Sequence, residues 1–301
     1  MVSLKKLVLA LLFIGLLFAT SCTTQVEPVA ITDDLGREVK LEGIPQRIVS
    51  LAPSTTEILF ALGLGDRVVA VTDMCDYPEE AKTKPKLSGF EPSIEFIVGL
   101  NPDLALALGE YPELVSNLEA VGLKVVAFQP SGIDGIIRNI ELIGKITGAE
   151  IEAQALVTDL RQRIEAVTSR TEAVLSRPRV FYIIGVDPDP SSPWTAGPGS
   201  FIDELINLAG GQNIAHEAVA PWIRLSTEHI ISADPEVIIV ANGKHGLSME
   251  DVSRIPGWND LTAVKKGAVY DVDSDLGTRP GPRIAQGLEE MARVIHPELF
   301  E

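Results

Sequence analysis

Ser93-Ile94-Glu95-Phe96-Ile97-Val98-Gly99-Leu100-Asn101-Pro102-Asp103-Leu104 returns later in the chain as Ser226-Thr227-Glu228-His229-Ile230-Ile231-Ser232-Ala233-Asp234-Pro235-Glu236-Val237. The Ser, Glu, Ile and Pro of the two copies stand at a constant offset of 133 residues. Each copy has the grammar of a short amphipathic helix: a Ser opens it, a Glu sits in its first turn, Asn/Asp-Pro stops it, and a buried strand follows. The chain therefore reads as two similarly built α/β lobes. The spacing is too long for a solenoid unit, so a duplicated lobe is the better reading, and two facing lobes imply a cleft between them.

Outward from these segments, apolar runs at 48–51, 68–71, 104–108 and 125–128 predict strands in the first lobe, separated by helical stretches at 54–62, 111–121 and 133–146. Ser54-Thr55-Thr56-Glu57 has the letters of a capping box for the first of these helices. Residues 31–41 alternate around an Asp-Leu-Gly turn and read as a hairpin. Strands alternating with helices, and apolar on both faces, predict a mainly parallel sheet covered on both sides. Residues 149–175 contain neither Gly nor Pro, and Leu156, Leu160, Ile164, Val167 and Val174 keep helical spacing. A helix of about 26 residues would run about 39 Å, the length of a lobe. The second lobe resumes after Arg177-Pro178 with strands at 180–184, 237–240 and 269–272 and a final helix at 284–295. The expected division is a leader at 1–21, a tether at 22–30, an N-terminal lobe at 31–147, an interdomain helix at 148–177 and a C-terminal lobe at 178–301. One long connecting helix predicts a stiff hinge and argues against a wide clamshell motion.

Lys5-Lys6, the apolar run 7–19 and Thr20-Ser21-Cys22 form a secretion signal. That run is too short to span a bilayer, for which about 20 residues are needed. A Cys directly after Ala19-Thr20-Ser21 resembles the lipobox of bacterial lipoproteins, with Ala19 where Leu is more usual. Cys22 is thus expected to be the lipidated mature N terminus, the alternative being an ordinary secretory signal that ends near a Cys. Only Cys22 and Cys75 are present, which excludes a disulfide framework or a multi-cysteine metal site. Losing Lys5 and Lys6 with the leader takes the net charge from −17 to −19. Such a surface disfavours nucleic acid and anionic lipid as partners, leaving the lipid chain as the route to the membrane.

Enzyme signatures are mostly missing: the chain has no phosphate loop, no His-Glu-x-x-His and no Gly-x-Ser-x-Gly elbow. Gly63-Leu64-Gly65 follows a helix and precedes a strand, the reverse of a dinucleotide-binding turn, and reads as a helix stop. His216, His229, His245 and His296 show no ligand spacing, so no metal site is expected. The loops instead carry aromatic and charged residues: Asp76-Tyr77-Pro78, Phe90, Tyr111, Trp194 and Pro221-Trp222, in a chain only 5% aromatic. All three tryptophans, Trp194, Trp222 and Trp258, are read as loop residues of the second lobe. Loop aromatics can simply cover sheet ends, but several at the strand ends facing one cleft suit a large flat ligand. Asp275-Leu276-Gly277-Thr278-Arg279-Pro280-Gly281-Pro282-Arg283 adds a charged loop, in which Asp275 and Arg279 are candidates to meet polar edges of a ligand and Arg283 reads as helix-associated.

These segments together resemble the substrate-binding proteins of ABC importers, in the group that serves cobalamin, ferric siderophores and haem. The resemblance runs through Arg47-Ile48-Val49-Ser50-Leu51-Ala52-Pro53-Ser54-Thr55-Thr56-Glu57-Ile58, Asp76-Tyr77-Pro78, the two Ser-x-Glu repeats, Thr195-Ala196-Gly197 with Phe201-Ile202, Gly210-Gly211-Gln212-Asn213-Ile214 and Pro221-Trp222. It implies an α/β fold of two Rossmann-like lobes with mainly parallel sheets, joined by one long α-helix, with the ligand cleft between them. The cobalamin-binding branch is the nearest in pattern: its ligand-contacting aromatics match Tyr77, Trp194 and Trp222, and its acid-x-x-x-Arg contact matches Asp275 and Arg279. The branch's aromatic near Gly89-Phe90 aligns with a shift of one residue, and Tyr111 stands roughly where a Trp is usual. Cys75, beside Tyr77, either approaches a bound metal or is a small buried residue.

The same resemblance implies that Glu95 and Glu228 pair with arginines on a dimeric permease, although a carboxylate in the first helical turn is favourable by itself. The expected protein is a monomeric, lipid-anchored extracytoplasmic receptor with no cofactor of its own. It would hand a corrinoid to a permease dimer with its ATPase subunits. A ferric siderophore or haem as ligand, and an extracellular α/β enzyme, are the alternatives.

Overall fold

The computed structural model describes residues 28–89, 91–186, 191–242 and 249–300. The leader, Cys22, most of the tether, Phe90 and His245 lie outside the described residues. Strands β1 (Val29–Thr32) and β2 (Glu38–Leu41) pair antiparallel, with Ile31 opposite Val39. Gly36 closes the turn at φ 74°, a left-handed conformation in which a side chain would be strained. Asp33 holds the ribbon to the sheet by accepting from the N–H of Ala127 at 3.1 Å while pairing with Arg37.

Next come β3 (Ile48–Ser50), β4 (Val68–Thr72), β5 (Lys86–Leu87), β6 (Leu104–Leu108) and β7 (Val125–Phe128), a five-stranded parallel sheet in the order β5-β4-β3-β6-β7. Alternation along each strand sorts the side chains between two cores. Ile48, Leu104, Leu106, Val126 and Phe128 face inward with the Gly132–Thr147 helix, whereas Val49, Ala105, Ala107, Val125 and Ala127 face outward under Ile97 and Leu118. This two-sided burial is why the strands read as unbroken apolar runs, and each fully buried Leu, Ile or Phe contributes about 1.5–3 kcal/mol.

The second lobe has β8 (Arg179–Ile183), β10 (Gln212–Asn213), β12 (Val237–Asn242) and β13 (Val269–Asp273) in the parallel order β10-β8-β12-β13. The order matches β4-β3-β6-β7 of the first lobe. Val180, Tyr182 and Ile239 face inward, and Phe181, Ile183, Ile238 and Val240 face outward. Strands β9 (Trp194–Ala196) and β11 (Trp222–Arg224) form a separate antiparallel ribbon. Reading Trp194 and Trp222 as loop residues is corrected here: three-residue strands give too little alternation to reveal a ribbon. Trp258 is corrected further, being fully buried in the 3-10 turn Trp258–Asp260, edge-on to Phe181 at 5.8 Å.

The repeated segments fold alike. The helices Ile94–Gly99 and Thr227–Ala233 are capped by Ser93 and Ser226, whose hydroxyls accept from the N–H of Phe96 and His229. Each chain then turns through a left-handed residue, Asn101 at φ 47° and Asp234 at φ 42°. Arg47 Nε donates to the carbonyls of Leu100 and Asn101 at 3.2 and 3.0 Å, and Arg179 Nε to those of Ala233 and Asp234 at 2.9 and 3.0 Å. Asp103 accepts from the N–H of Arg47 at 3.0 Å, and Glu236 from that of Arg179 at 3.2 Å. The orphan carbonyls of both helix ends are thus satisfied by the same device.

Between the lobes runs the helix Glu150–Thr171, of 22 residues and so about 33 Å. It starts two residues after Gly148, whose φ of 69° ends the preceding helix, with Ala149 between them as its N-cap. The two helices pack so closely that a Cβ on Gly144 would come within 2.4 Å of Ala153 Cβ. The helix stops short of the expected 148–177. Thr171 Oγ1 donates to the carbonyl of Leu208 at 2.6 Å, Leu175 is fully exposed, and Pro178 pulls the residue before it out of helical geometry. Ala153, Val157, Leu160 and Val167 enter a core that includes inward residues of both sheets. Opening the lobes widely would break that shared core.

Candidate ligand-binding cleft

Every predicted contact residue within the described chain lies past the carboxyl end of a parallel strand, the edge where open α/β sheets bind ligands. Tyr77 follows β4, Tyr111 follows β6 and precedes the Pro112–Ala120 helix, Trp194 follows β8, and Asp275 and Arg279 follow β13. Phe90 lies outside the described residues. Tyr77, Tyr111, Trp194 and Trp222 remain 46, 39, 42 and 41% exposed, unlike the buried Trp258.

The β9–β11 register explains why two tryptophans share a face. Trp222 lies opposite Ala196 and Arg224 opposite Trp194, so all four side chains project from the same side of the ribbon. The Arg224 guanidinium stands 5.9 Å from the Trp194 ring, and Trp222 meets Phe201 edge-on at 5.9 Å. Thr195, on the other side, is buried and donates to the carbonyl of Tyr182 at 2.6 Å. A Cβ on Gly197 would fall 2.4 Å from the carbonyl oxygen of Ala220, so this glycine lets the ribbon close. Asn213 fastens it by donating to the Ala196 carbonyl at 2.8 Å and to Asp203 at 2.7 Å.

An ion cluster lies across the lobe boundary. Arg279 reaches Glu57 at 3.0 Å, Asp76 at 2.8 Å and Asp275 at 2.8 Å. Arg283 grips Glu57 with both Nε and Nη2, at 2.8 and 2.7 Å, and lies 4.2 Å over the ring of Tyr77. The capping-box reading of Ser54 to Glu57 is therefore wrong: the Pro53–Ala61 helix has Ala52 at its N-cap with no side-chain cap, and Glu57 faces the opposite lobe. Arg283, read from sequence as helix-associated, does stand at the N-cap of the Ile284–Ile295 helix, and it is also a principal member of the cluster. Ser54 and the threonines turn inward instead, Thr56 bonding Ser50 at 2.8 Å and the Cys75 thiol at 3.1 Å. Cys75 is itself 1% exposed and also touches the Thr72 hydroxyl.

Electrostatics divides the two aspartates on Arg279. Burial alone would raise Asp76, but the hydrogen bond and charge of Arg279 hold it below the usual carboxylate range. Burial pushes Asp275 up, and the neighbouring Asp76 and Asp273 add to that against the pull of Arg279. A second crossing joins the lobes at the start of the Gly132–Thr147 helix, where Glu204 accepts from the N–H of Ile133 at 2.7 Å beside a cavity of about 430 Å3.

Glu95 and Glu228 stand exposed in the first turns of their helices. Glu95 accepts from the Ser93 hydroxyl at 3.1 Å, and hydrogen bonds from its own backbone and from Ser226 hold Glu228 below the usual range. Ile97 and Ile230 anchor these helices in the outward-facing cores, which places both glutamates on the outer layers of the lobes.

Residues 48–276 match the sequence model of the family described as periplasmic binding protein. The chain is 34% identical over 283 residues, covering 92% of itself and 88% of the relative, to the uncharacterized ABC transporter substrate-binding lipoprotein YvrC of Bacillus subtilis. It is 31% identical over 280 residues to the cobalamin-binding protein of Halobacterium salinarum, covering 89% of this chain and 74% of that one. Its fold superposes on the periplasmic heme-binding protein RhuT of Roseiflexus with a TM-score of 0.75 at 28% identity, covering 84% of this chain and 99% of that one. Two duplicated lobes, one connecting helix and a family match across most of both sheets make the same point: the chain belongs to the periplasmic binding protein family, and it is a substrate-binding transport protein, not an enzyme.

Proposed function

We propose that this protein captures cobalamin or a related corrinoid in the interlobe cleft and delivers it to an ABC permease. The observation that carries this reading is the pairing of four half-exposed aromatic rings with a cluster whose arginines are already matched by carboxylates. Aromatic faces suit a broad flat macrocycle, and the hydrogen-bonding edges of Asp275 and Arg279 suit a periphery of carboxamides. The cobalamin-binding relative supports the same choice. Calorimetric titration with cyanocobalamin should give one site per chain, and native mass spectrometry of protein from a producing cell should find a co-purifying corrinoid. A wild type silent in both measurements would retire this ligand.

Haem or a ferric siderophore is the second reading. The likeness to a heme-binding protein favours it, as do two tyrosines, Tyr77 and Tyr111, at the strand ends, since a tyrosine is a known axial ligand of haem iron. In either case Cys22 carries the lipid anchor outside the cytoplasm. Cys22→Ser should release the protein from membranes on fractionation, and unchanged membrane association would refute the anchor.

A further inference from the structure

Glu57 comes from the first lobe, and both of its charged partners come from the second. It is 2% exposed, and the Arg279 to Arg283 loop lies directly on it. A Cβ on Gly281 would sit 3.6 Å from Ser54 Cα and 3.8 Å from Glu57 Oε2. Its two oxygens accept from Nε and Nη2 of Arg283 in a parallel fork, and Oε1 also takes Nη1 of Arg279. With Asp76 and Asp275, three carboxylates face two guanidiniums, and Asp273 adds further negative charge nearby. The positive charge these two arginines bring to the cleft is thereby neutralised within the protein.

We propose that Glu57 is a specificity-determining residue: by holding Arg279 and Arg283 in a cluster of net negative charge, it makes the cleft reject polyanionic ligands and favour uncharged ones. The uncharged arm rests on the corrinoid reading above, whereas the anionic arm does not. A buried carboxylate removed from such a cluster leaves guanidinium charge with no counter-ion, and that charge acts on a bound anion at the reduced effective dielectric of a protein surface.

The test compares wild type with Glu57→Gln, titrating cyanocobalamin, which is uncharged overall, and haemin, which carries two propionates. The variant should bind haemin roughly tenfold or more tightly than wild type, with the gain shrinking as salt is added. Cyanocobalamin should weaken by about tenfold as the two arginines lose their support. Adding Arg283→Gln to Glu57→Gln restores the charge balance and should return haemin affinity toward the wild-type value, a rescue that a merely structural role would not produce. Haemin affinity that is unchanged or weaker in Glu57→Gln, or absent in both proteins, overturns the proposal. A wild type that ignores cyanocobalamin refutes the corrinoid reading alone and leaves the haemin comparison to decide the role of Glu57. If Glu57→Gln does not fold, Asp76→Asn removes a half-exposed carboxylate from the same Arg279. It should move haemin affinity in the same direction by a smaller factor, and no movement there also overturns the proposal.

Discussion

Arg47 in the first lobe and Arg179 in the second clamp the carbonyls of equivalent helix ends with the same nitrogen, yet the sheets they introduce end differently, in acidic side chains in the first lobe and in arginines mixed with aspartates in the second. At the amino edges of the strands the lobes are near copies. At the carboxyl edges the first lobe offers Glu57, Asp76 and Tyr77, and the second offers Arg279, Arg283 and an added ribbon bearing Trp194 and Trp222. A duplicated lobe keeps the parts that make it fold and diverges where two halves must fit one ligand. The outer layers, with Glu95 and Glu228, remain alike, as a partner with twofold symmetry would require.

The harshest test of that symmetry is Glu95→Lys/Glu228→Lys. If the two glutamates meet arginines of a permease, as the family resemblance implies, transport in reconstituted vesicles should fall by about 100-fold or more, because like charges across an interface cost several kcal/mol, while ligand affinity stays at the wild-type value. Normal uptake by this variant would leave helix capping as the only role of the two residues. Trp222→Ala probes the divergent edge. It should weaken cyanocobalamin by about 30-fold, or about 2 kcal/mol, in calorimetry, with little change in melting temperature since the ring is half exposed. Equal loss from a first-lobe variant, Tyr111→Ala, would mean that stacking is shared between the lobes.

The conserved edges can be compared directly. Arg47→Ala and Arg179→Ala each remove a donor from two helix-end carbonyls and should each cost about 1 kcal/mol in denaturant unfolding. A several-fold difference between them would break the equivalence of the two clamps.

Legibility followed the same division. The strands were readable because both faces of each sheet are buried, which makes 104–108 and 125–128 continuous apolar runs whose ends agree with β6 and β7. The duplication was readable because Ser, Glu, Asn/Asp and Pro act locally. The cluster was not. Glu57 follows Ser54 at capping-box spacing, and nothing local reveals that its partner stands 222 residues away. Arg283 carried no signal except its place two residues beyond Gly281, a glycine that lets the loop lie on the first lobe. The ribbon was hidden because β9 and β11 are three residues each, and the long helix ended early because Thr171 is tied to a carbonyl of the second lobe.

The smallest expected effect concerns the two aspartates that share Arg279, one from each lobe. Asp76 is held below its ordinary range, so the stability it contributes is present above the unfolded carboxylate value and is lost as the pH falls through its lower folded value. Asp275 is pushed up, so its contribution runs the other way: it is fully present below the unfolded value and is lost as the pH rises through the raised folded one. Melting curves recorded from pH 3 to pH 7 should separate them. Relative to wild type, Asp76→Asn should lose ground as the pH rises through the lower part of this range, because it no longer gains from ionising beside Arg279. Asp275→Asn should gain ground as the pH rises through the values just above those of an ordinary carboxylate, because it no longer has to ionise where it is buried among Asp76 and Asp273. Parallel curves for the two variants would mean that Arg279 treats its neighbours from the two lobes alike, and the asymmetry of the carboxyl edge would then reside in Glu57 and Arg283 alone.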